Sequence, residues 1–377
     1  AHSSSRHSVE PVLECRQGLL DWFERVKHSR GMPWRGDYDP SLSPEDQTQR
    51  AYEVLVSEIM LQQTQVATVI PYYKKWMEAF PTIQSLAEAD IEAVNQRWKG
   101  LGYYSRAARL LAAAKQVVNE MNSQFPSTSA EMQKGLPGVG RYTAGAVASI
   151  VFNEHTAAVD GNVQRLFSRL LALHAPLKGN KAKQGLEVVW NAAEELVQGV
   201  PVAGSLNQAL IELGSTVCKP TNPACGSCPL RNSCSAYQLS RGSASSSVPD
   251  IEDICGLCDP FPDASTAVTR FPMKVEKKKA REEDSAVNVI TWEGNDERMV
   301  LLVRRPEKGL LAGLYEFPTA SIESSDKETL DAAIDNLTDT YLNLNDSSTG
   351  SGCMLSPSQP GSILHIFSHI RMTYHVR

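Results

Sequence analysis

The sequence predicts an all-α domain followed by a smaller, mixed α/β domain, and three observations carry that prediction. From about residue 11 to residue 240 apolar positions recur at three- and four-residue steps, the period of helices packed on a common core, with few alternating runs. Between residues 241 and 284 the composition turns to Ser, Pro and Asp and then to Lys, with a VEKKKAREE run that cannot build a core. From residue 285 onward, short β-rich runs (VNVITW, MVLLVRR, LYEFP, ILHIF, MTYHV) surround one amphipathic stretch, KETLDAAIDNL.

In chain order, residues 1–10 read as a disordered lead-in. Helices are expected at 17–27, 49–66, 72–79, 91–96, 105–121, 141–153, 163–172 and 184–198, filling a first domain over 11–240. A linker is expected at 241–284 and an α/β domain at 285–377, inside which 343–361, rich in Ser, Gly and Pro, reads as a mobile loop. The final strand ends without a turn or cap, so this domain is expected to be incomplete. With 377 residues and 42% apolar content, each domain can bury its own core.

No apolar run reaches eighteen residues and no signal segment opens the chain, so a soluble intracellular monomer away from membranes is expected. The net charge of −6 gives nucleic acid no general invitation. Residues 97–170 differ, holding nine Lys or Arg against four Asp or Glu, and DNA is expected to lie there. Eight cysteines in such a chain point to metal rather than disulfides.

Four of them form C-x6-C-x2-C-x5-C, Cys218, Cys225, Cys228 and Cys234, in a proline-punctuated loop. Four thiolates suit zinc or a [4Fe–4S] cluster, and spacing alone does not choose. In LPGVGRYTAGA, Gly138 and Gly140 free backbone N–H groups to approach a phosphate at the next helix start; the plainer reading is an αα-turn. Asp160, in AAVDGN, stands at a helix start and is either a simple N-cap or a functional carboxylate. Glu58 lies among Val54, Leu55, Ile59, Met60 and Leu61, a setting that raises a carboxyl pKa, unless it faces water at the helix edge.

Together SEIMLQQTQV, GLGYYSRAARL, LPGVGRYTAGA, AVDGNVQRLFSRL and LNQALIELGSTVC resemble adenine DNA glycosylases of the MutY type, in the helix-hairpin-helix, endonuclease III superfamily, over most of residues 30–240. The resemblance implies that the cysteine loop holds a [4Fe–4S] cluster. It implies that Glu58 is the general acid that protonates adenine, that Asp160 stabilises the cationic sugar, and that Tyr142 and Asn162 are their neighbours. Arg30, Trp34, Leu61 and Gln208 match positions lining an adenine pocket, and Gln63, Thr64, Leu101 and Tyr103 match residues that wedge into the duplex or touch oxidised guanine. The stretch DYDPSLSPEDQTQRAY, between Trp34 and Glu58, is longer than in the bacterial pattern. Glycosylases that also cut the strand carry a Lys where Tyr142 stands, and a phenol cannot form their Schiff base.

The expected activity is therefore base-excision repair by hydrolysis of adenine from duplex DNA, opposite 8-oxoguanine or guanine, leaving an abasic site. LLVRRPEKGLLAGLYEFP resembles the Nudix-like C-terminal domain of the same enzymes, without the clustered carboxylates a Nudix hydrolase needs for magnesium. Phe367, Ser368 and His369 match that family's lesion-sensing loop, and are otherwise a strand end. The Cys255 and Cys258 pair resembles part of a zinc site of eukaryotic relatives, with His2 or His7 as a further ligand; a free thiol pair is the alternative. That linker favours the nucleus over the mitochondrion and is where replication or repair proteins would bind. Two other readings stand: an endonuclease III-like glycosylase-lyase, and a non-enzymatic DNA-binding or metal-carrying protein.

Overall fold

In the computed structural model all residues are described except 1, 243–249, 262–264, 276–278, 295–296, 307–308, 310, 343–360 and 368. The chain divides into two units, Ala1–Val275 and Glu276–Arg377. The first contains α1 (Glu10–Leu13), α2 (Arg16–Val26), α3 (Pro44–Leu61), α4 (Val66–Ala79), α5 (Ile83–Ala87), α6 (Ile91–Trp98), α7 (Ser105–Glu120), α8 (Ser129–Gly135), α9 (Arg141–Phe152), α10 (Gly161–Leu170), α11 (Ala182–Val197), α12 (Ala203–Thr216) and α13 (Ser235–Ser240). Among the described residues no helix is long and apolar enough to cross a membrane.

Two apolar cores organise this unit. One gathers α3 to α9 around Tyr52, Trp76 and Trp98, where the Trp76 indole donates to Tyr52 Oη at 3.0 Å. The other joins α2, α10, α11 and α12 through Phe23, Phe167, Leu206 and Leu213. The lobes meet closely because glycine leaves room: a Cβ on Gly145 of α9 would lie 2.2 Å from the Ala157 carbonyl oxygen, and one on Gly204 of α12 would lie 2.5 Å from Ile150 Cα. A cavity of about 910 Å³ opens along this junction.

Several expectations change. The helix expected from residue 49 begins at Pro44, where Ser43 caps it by accepting from the Asp46 N–H at 3.1 Å, so part of DYDPSLSPEDQTQRAY is helix. Helix α4 runs through Pro71 rather than starting at residue 72; its buried Val69, Tyr73 and Trp76 outweigh one missing hydrogen bond. The lead-in is ordered: residues 4–7 form a 3-10 turn, Ser3 bridges Ile254, and Val9 and Val12 enter the second core. Much of the stretch read as linker belongs to the first unit, because Phe271 is buried there and packs edge-on against His174 and Phe261. The expected mobile loop at 343–361 lies, for 343–360, outside the described residues.

The second unit holds a four-stranded sheet in the order β6-β1-β8-β7, with β1 (Arg281–Val287), β6 (Thr319–Ile322), β7 (Gly361–Ile366) and β8 (Ile370–Val376). Strand β1 pairs in parallel with β8 and antiparallel with β6. Hairpins β2 (Thr291–Gly294) with β3 (Glu297–Val300) and β4 (Val303–Arg304) with β5 (Tyr315–Glu316) lie between, and α14 (Lys327–Leu342) packs on the sheet through Leu330 and Leu337. The charged end of the expected linker, Arg281 to Glu283, starts central strand β1. Its backbone pairs on a sheet while Arg281 and Glu282 stay exposed, and only Ser285 to Val287 are buried.

Candidate active site

Four expected site residues, Glu58, Tyr142, Asp160 and Asn162, line one cavity of about 910 Å³ between the two cores. Glu58, on α3, is 8% exposed, and Tyr142, on α9, donates its phenol O–H to Glu58 Oε2 at 2.5 Å. Burial pushes the Glu58 carboxyl up to about 7, against the pull of the Tyr142 hydrogen bond, and the Asp160 charge raises it further. Burial also drives the Tyr142 phenol well above its usual range, so it stays a donor.

Asp160 caps α10, so the plain N-cap reading is correct as far as it goes. Oδ1 accepts from the backbone N–H groups of Asn162 at 2.9 Å and Val163 at 2.8 Å, and Oδ2 accepts from Asn162 Nδ2 at 2.7 Å. Burial raises its carboxyl as well, but these three donors and Arg165 pull the other way. Asp160 thus has three hydrogen-bond donors that favour its carboxylate form, against the one that Glu58 accepts from Tyr142. The two roles of one cap and one site charge are compatible, since Asp160 also faces the cavity.

Arg30, Trp34, Leu61 and Gln208 all line the same cavity. Trp34 is held edge-on against Tyr73 at 5.1 Å. Two residues absent from the sequence reading join them: Glu212, 1% exposed, accepts from Arg35 Nη1 at 3.0 Å and pairs with Arg30 Nη1 at 3.4 Å. Their signal was the charged Glu212 inside the apolar run ALIELG of α12, a position that requires a buried cation. Despite the long 37–52 stretch, Arg30 lines the same cavity as Glu58 and Asp160.

Gln63 and Thr64 also line the cavity, whereas Leu101 and Tyr103 do not. Gln63 and Tyr103 have left-handed backbones, φ 56° and 49°, and Tyr103 is exposed. The α8–α9 hairpin uses glycine once. Gly138 has φ 78° and would carry a Cβ 2.7 Å from Arg109 Cβ, while Gly140, at φ −91°, caps α9 in an ordinary conformation with open space around it. The basic excess of 97–170 is partly internal: Arg106 and Arg169 are buried, and Arg165 donates to the Cys218 and Gly214 carbonyls at 2.9 and 2.7 Å.

Cys218, Cys225, Cys228 and Cys234 line one small cavity with Leu166, Arg169 and Tyr237. Burial pushes the Cys228 and Cys234 thiols up to about 11 and 12, and the neighbouring cysteines oppose ionisation further. Such a set is costly as thiolates alone and suits a shared metal centre. Arg165 Nη2 donates to Asn162 Oδ1 at 3.0 Å, so hydrogen bonds run unbroken from Asp160 through Asn162 and Arg165 to the Cys218 carbonyl.

A second group is tighter. His2, His7, Cys255 and Cys258 place one ligand atom each within 4.8 Å of one another, so both histidines join the cysteine pair where one was expected. His7 Nε2 lies 3.2 Å from Cys255 Sγ and 3.4 Å from Cys258 Sγ, and His7 Nδ1 contacts the Leu171 carbonyl at 2.8 Å. That contact fixes the tautomer that turns the Nε2 lone pair towards the thiols. Burial lowers His7 and brings His2 to about 4, keeping both neutral as ligands must be.

In the second unit, Phe367 and His369 flank the turn joining β7 to β8. The Phe367 N–H donates to the Ile370 carbonyl at 2.8 Å and its ring stacks edge-on against His365 at 4.3 Å. Ser368 lies outside the described residues.

Comparison with known proteins gives matches to both units. The HhH-GPD superfamily base excision DNA repair protein family matches residues 56–192, and the NUDIX domain family matches residues 288–377. The adenine DNA glycosylase of Mus musculus is 43% identical, over 98% of this chain and 71% of its own length. That of Homo sapiens is 42% identical over 100% of this chain and 69% of its own, and that of Schizosaccharomyces pombe 40% over 100% and 84%.

Proposed function

This chain belongs to the adenine DNA glycosylases of the HhH-GPD superfamily, enzymes of base-excision repair, and we propose that it hydrolyses adenine from duplex DNA opposite 8-oxoguanine, and opposite guanine, without cutting the strand. The observation that carries this reading is the buried Glu58, pushed up to about 7 and hydrogen-bonded to the Tyr142 phenol at 2.5 Å, in one cavity with Asp160.

Chemistry follows from that pair. With Oε2 accepting from Tyr142, the Glu58 proton sits on Oε1 and passes to N7 of the extruded adenine. The C1′–N9 bond then breaks and its electron pair leaves with the protonated base. The Asp160 carboxylate stabilises the cationic sugar, water adds at C1′ and loses a proton, and an abasic site remains. Arg30, Arg35 and Glu212 offer donors and an acceptor to the edge of the base, between Trp34 and Leu61. Tyr142 has no amine, so no Schiff base forms with the sugar.

Gln63, Thr64, Leu101 and Tyr103 are read as contacts to the opened duplex, Gly138 and Gly140 as the hairpin that receives a phosphate, and Phe367, Ser368 and His369 as the loop that reads the oxidised base. The four cysteines of 218–234 fit a [4Fe–4S] cluster, which when bound supplies a rigid anchor for the loop that Arg165 ties to Asp160. His2, His7, Cys255 and Cys258 fit tetrahedral zinc.

Single-turnover excision tests the reading. Glu58→Gln is expected to abolish release of adenine opposite 8-oxoguanine while duplex binding stays near normal; retained turnover would overturn the acid assignment. Strong borohydride trapping of a covalent protein–DNA adduct would favour a glycosylase-lyase instead. Replacing Phe367, Ser368 and His369 by Ala is expected to slow excision opposite 8-oxoguanine more than opposite guanine, and equal slowing would refute a sensing loop.

A further inference from the structure

Arg106 belongs to neither the cavity nor the cysteine loop, yet the residue is 7% exposed. Nη1 donates to the carbonyls of Ile59, Met60 and Gln62 at 2.9, 3.1 and 2.6 Å, and Nη2 to those of Leu101 and Gly102 at 3.2 and 3.1 Å. The first three carbonyls close α3 just before Gln63. The other two immediately precede Tyr103. The guanidinium carbon also sits 5.3 Å from the Trp98 ring and 5.6 Å from the Tyr103 ring.

Three physical points say what this arrangement is for. A cation in the first turn of α7 opposes that helix's own dipole, so Arg106 is not there for α7. The carbonyls ending α3 have no partners within their helix, and a cation answers both their hydrogen bonds and the negative helix end. Among the described residues no carboxylate pairs with Arg106 and its Nε is unpartnered, so the buried charge rests on carbonyls and ring faces alone. Gln63 and Tyr103, each just beyond a clamped carbonyl, hold left-handed backbones that a non-glycine residue keeps only when its surroundings impose them.

We propose that Arg106 is a positioning residue that locks the Gln63 and Tyr103 loops to each other, so that both side chains enter the duplex as one wedge and the adenine is extruded in a single step. This rests on the reading above that those two residues meet DNA. It adds that their spacing is set by one guanidinium, and that Arg106 acts on extrusion rather than on bond cleavage.

The test uses the full chain with its metals, on a duplex carrying 2-aminopurine beside an adenine opposite 8-oxoguanine, and in parallel on the same adenine opposite an abasic site. Arg106→Lys keeps the charge and loses the two-armed fan. It is expected to lose most of the fluorescence rise on binding and to excise at least about tenfold more slowly from the paired duplex, with a near-normal rate opposite the abasic site. Tyr103→Ala is expected to reproduce the loss, and the double variant to be no worse than either single one. Equal slowing on both substrates, or additive losses in the double variant, would overturn the proposal. A signal lost in Gln63→Ala and Tyr103→Ala but kept in Arg106→Lys would overturn the clamp alone; a signal kept in all three would overturn the wedge reading as well. Should Arg106→Lys not fold, Gly102→Ala gives the same contrast. A Cβ there meets open space, and only the φ of 72° resists it, so the Tyr103 loop shifts while the core is spared.

Discussion

Glu58 occupies a site that works against its charge, and the consequence reaches stability as well as rate. Burial raises its folded pKa from the ordinary 4.5 to about 7. As pH rises from 4.5 the unfolded chain sheds this proton first, so the folded state is penalised progressively until about pH 7. Above that the cost is complete, at roughly 3 kcal/mol. Glu58→Gln removes the charge and keeps an acceptor for Tyr142. Its thermal midpoint should therefore exceed that of the parent at pH 8 and converge on it near pH 4.5, as calorimetry across pH would record. The same titration shapes turnover: excision should fall as pH rises through about 7, when Glu58 loses the proton it donates. Since the phenol's hydrogen bond favours the carboxylate, Tyr142→Phe should move that limb to higher pH. A pH–rate profile that keeps its position in Tyr142→Phe would remove the phenol from the proton's control.

At the scale of elements, α10 connects the reacting end of the cavity to the cysteine loop through a short run of hydrogen bonds. Arg165→Ala would leave Asn162 Oδ1 and the Gly214 carbonyl without this donor, and the Cys218 carbonyl held by Arg169 Nη1 alone. Excision should slow by about tenfold or more and iron should be lost faster on dilution, measured as single-turnover rate and cluster absorbance. Helix packing makes a second demand. Gly145→Ala should cost about 3 kcal/mol, seen as a lowered denaturation midpoint, because its Cβ would meet the Ala157 backbone rather than a movable side chain. These helices were largely legible from apolar spacing, and motif resemblance put Glu58, Tyr142, Asp160 and Arg30 in one cavity. What escaped was set by partners distant in sequence. Strand β1 begins in a charged run that reads as linker until β6 and β8 pair with it. Arg106 and Arg169 counted as DNA-facing charge, although each lies buried against carbonyls brought from elsewhere. Glu212 and Arg35 gain meaning only when α12 meets the segment after α2.

On the scale of the whole chain, the first unit is closed by its own ends. His2 and His7 come from the start of the sequence and Cys255 and Cys258 from the stretch that follows the helical domain, and all four ligand atoms converge. The His174 N–H lies 3.3 Å from Cys258 Sγ and its ring lies 2.7 Å, through Nδ1, from the Asp259 carbonyl, so the group is also fixed to the loop after α10. The 3-10 turn at 4–7 buries no residue of its own, so the approach of His2 and His7 to the cysteines rests on few apolar contacts. A metal bound only by the folded arrangement contributes its binding free energy to that arrangement. The purified chain should therefore carry about one equivalent of zinc in addition to the iron of the proposed cluster. His7→Ala or Cys258→Ser should remove that zinc and leave the iron in place, and limited proteolysis should then cut near residues 8 and 250 while the helices from α2 to α12 stay protected. Full zinc retention in both variants, or cleavage spread through the helical unit, would show that these four side chains do not form the tie.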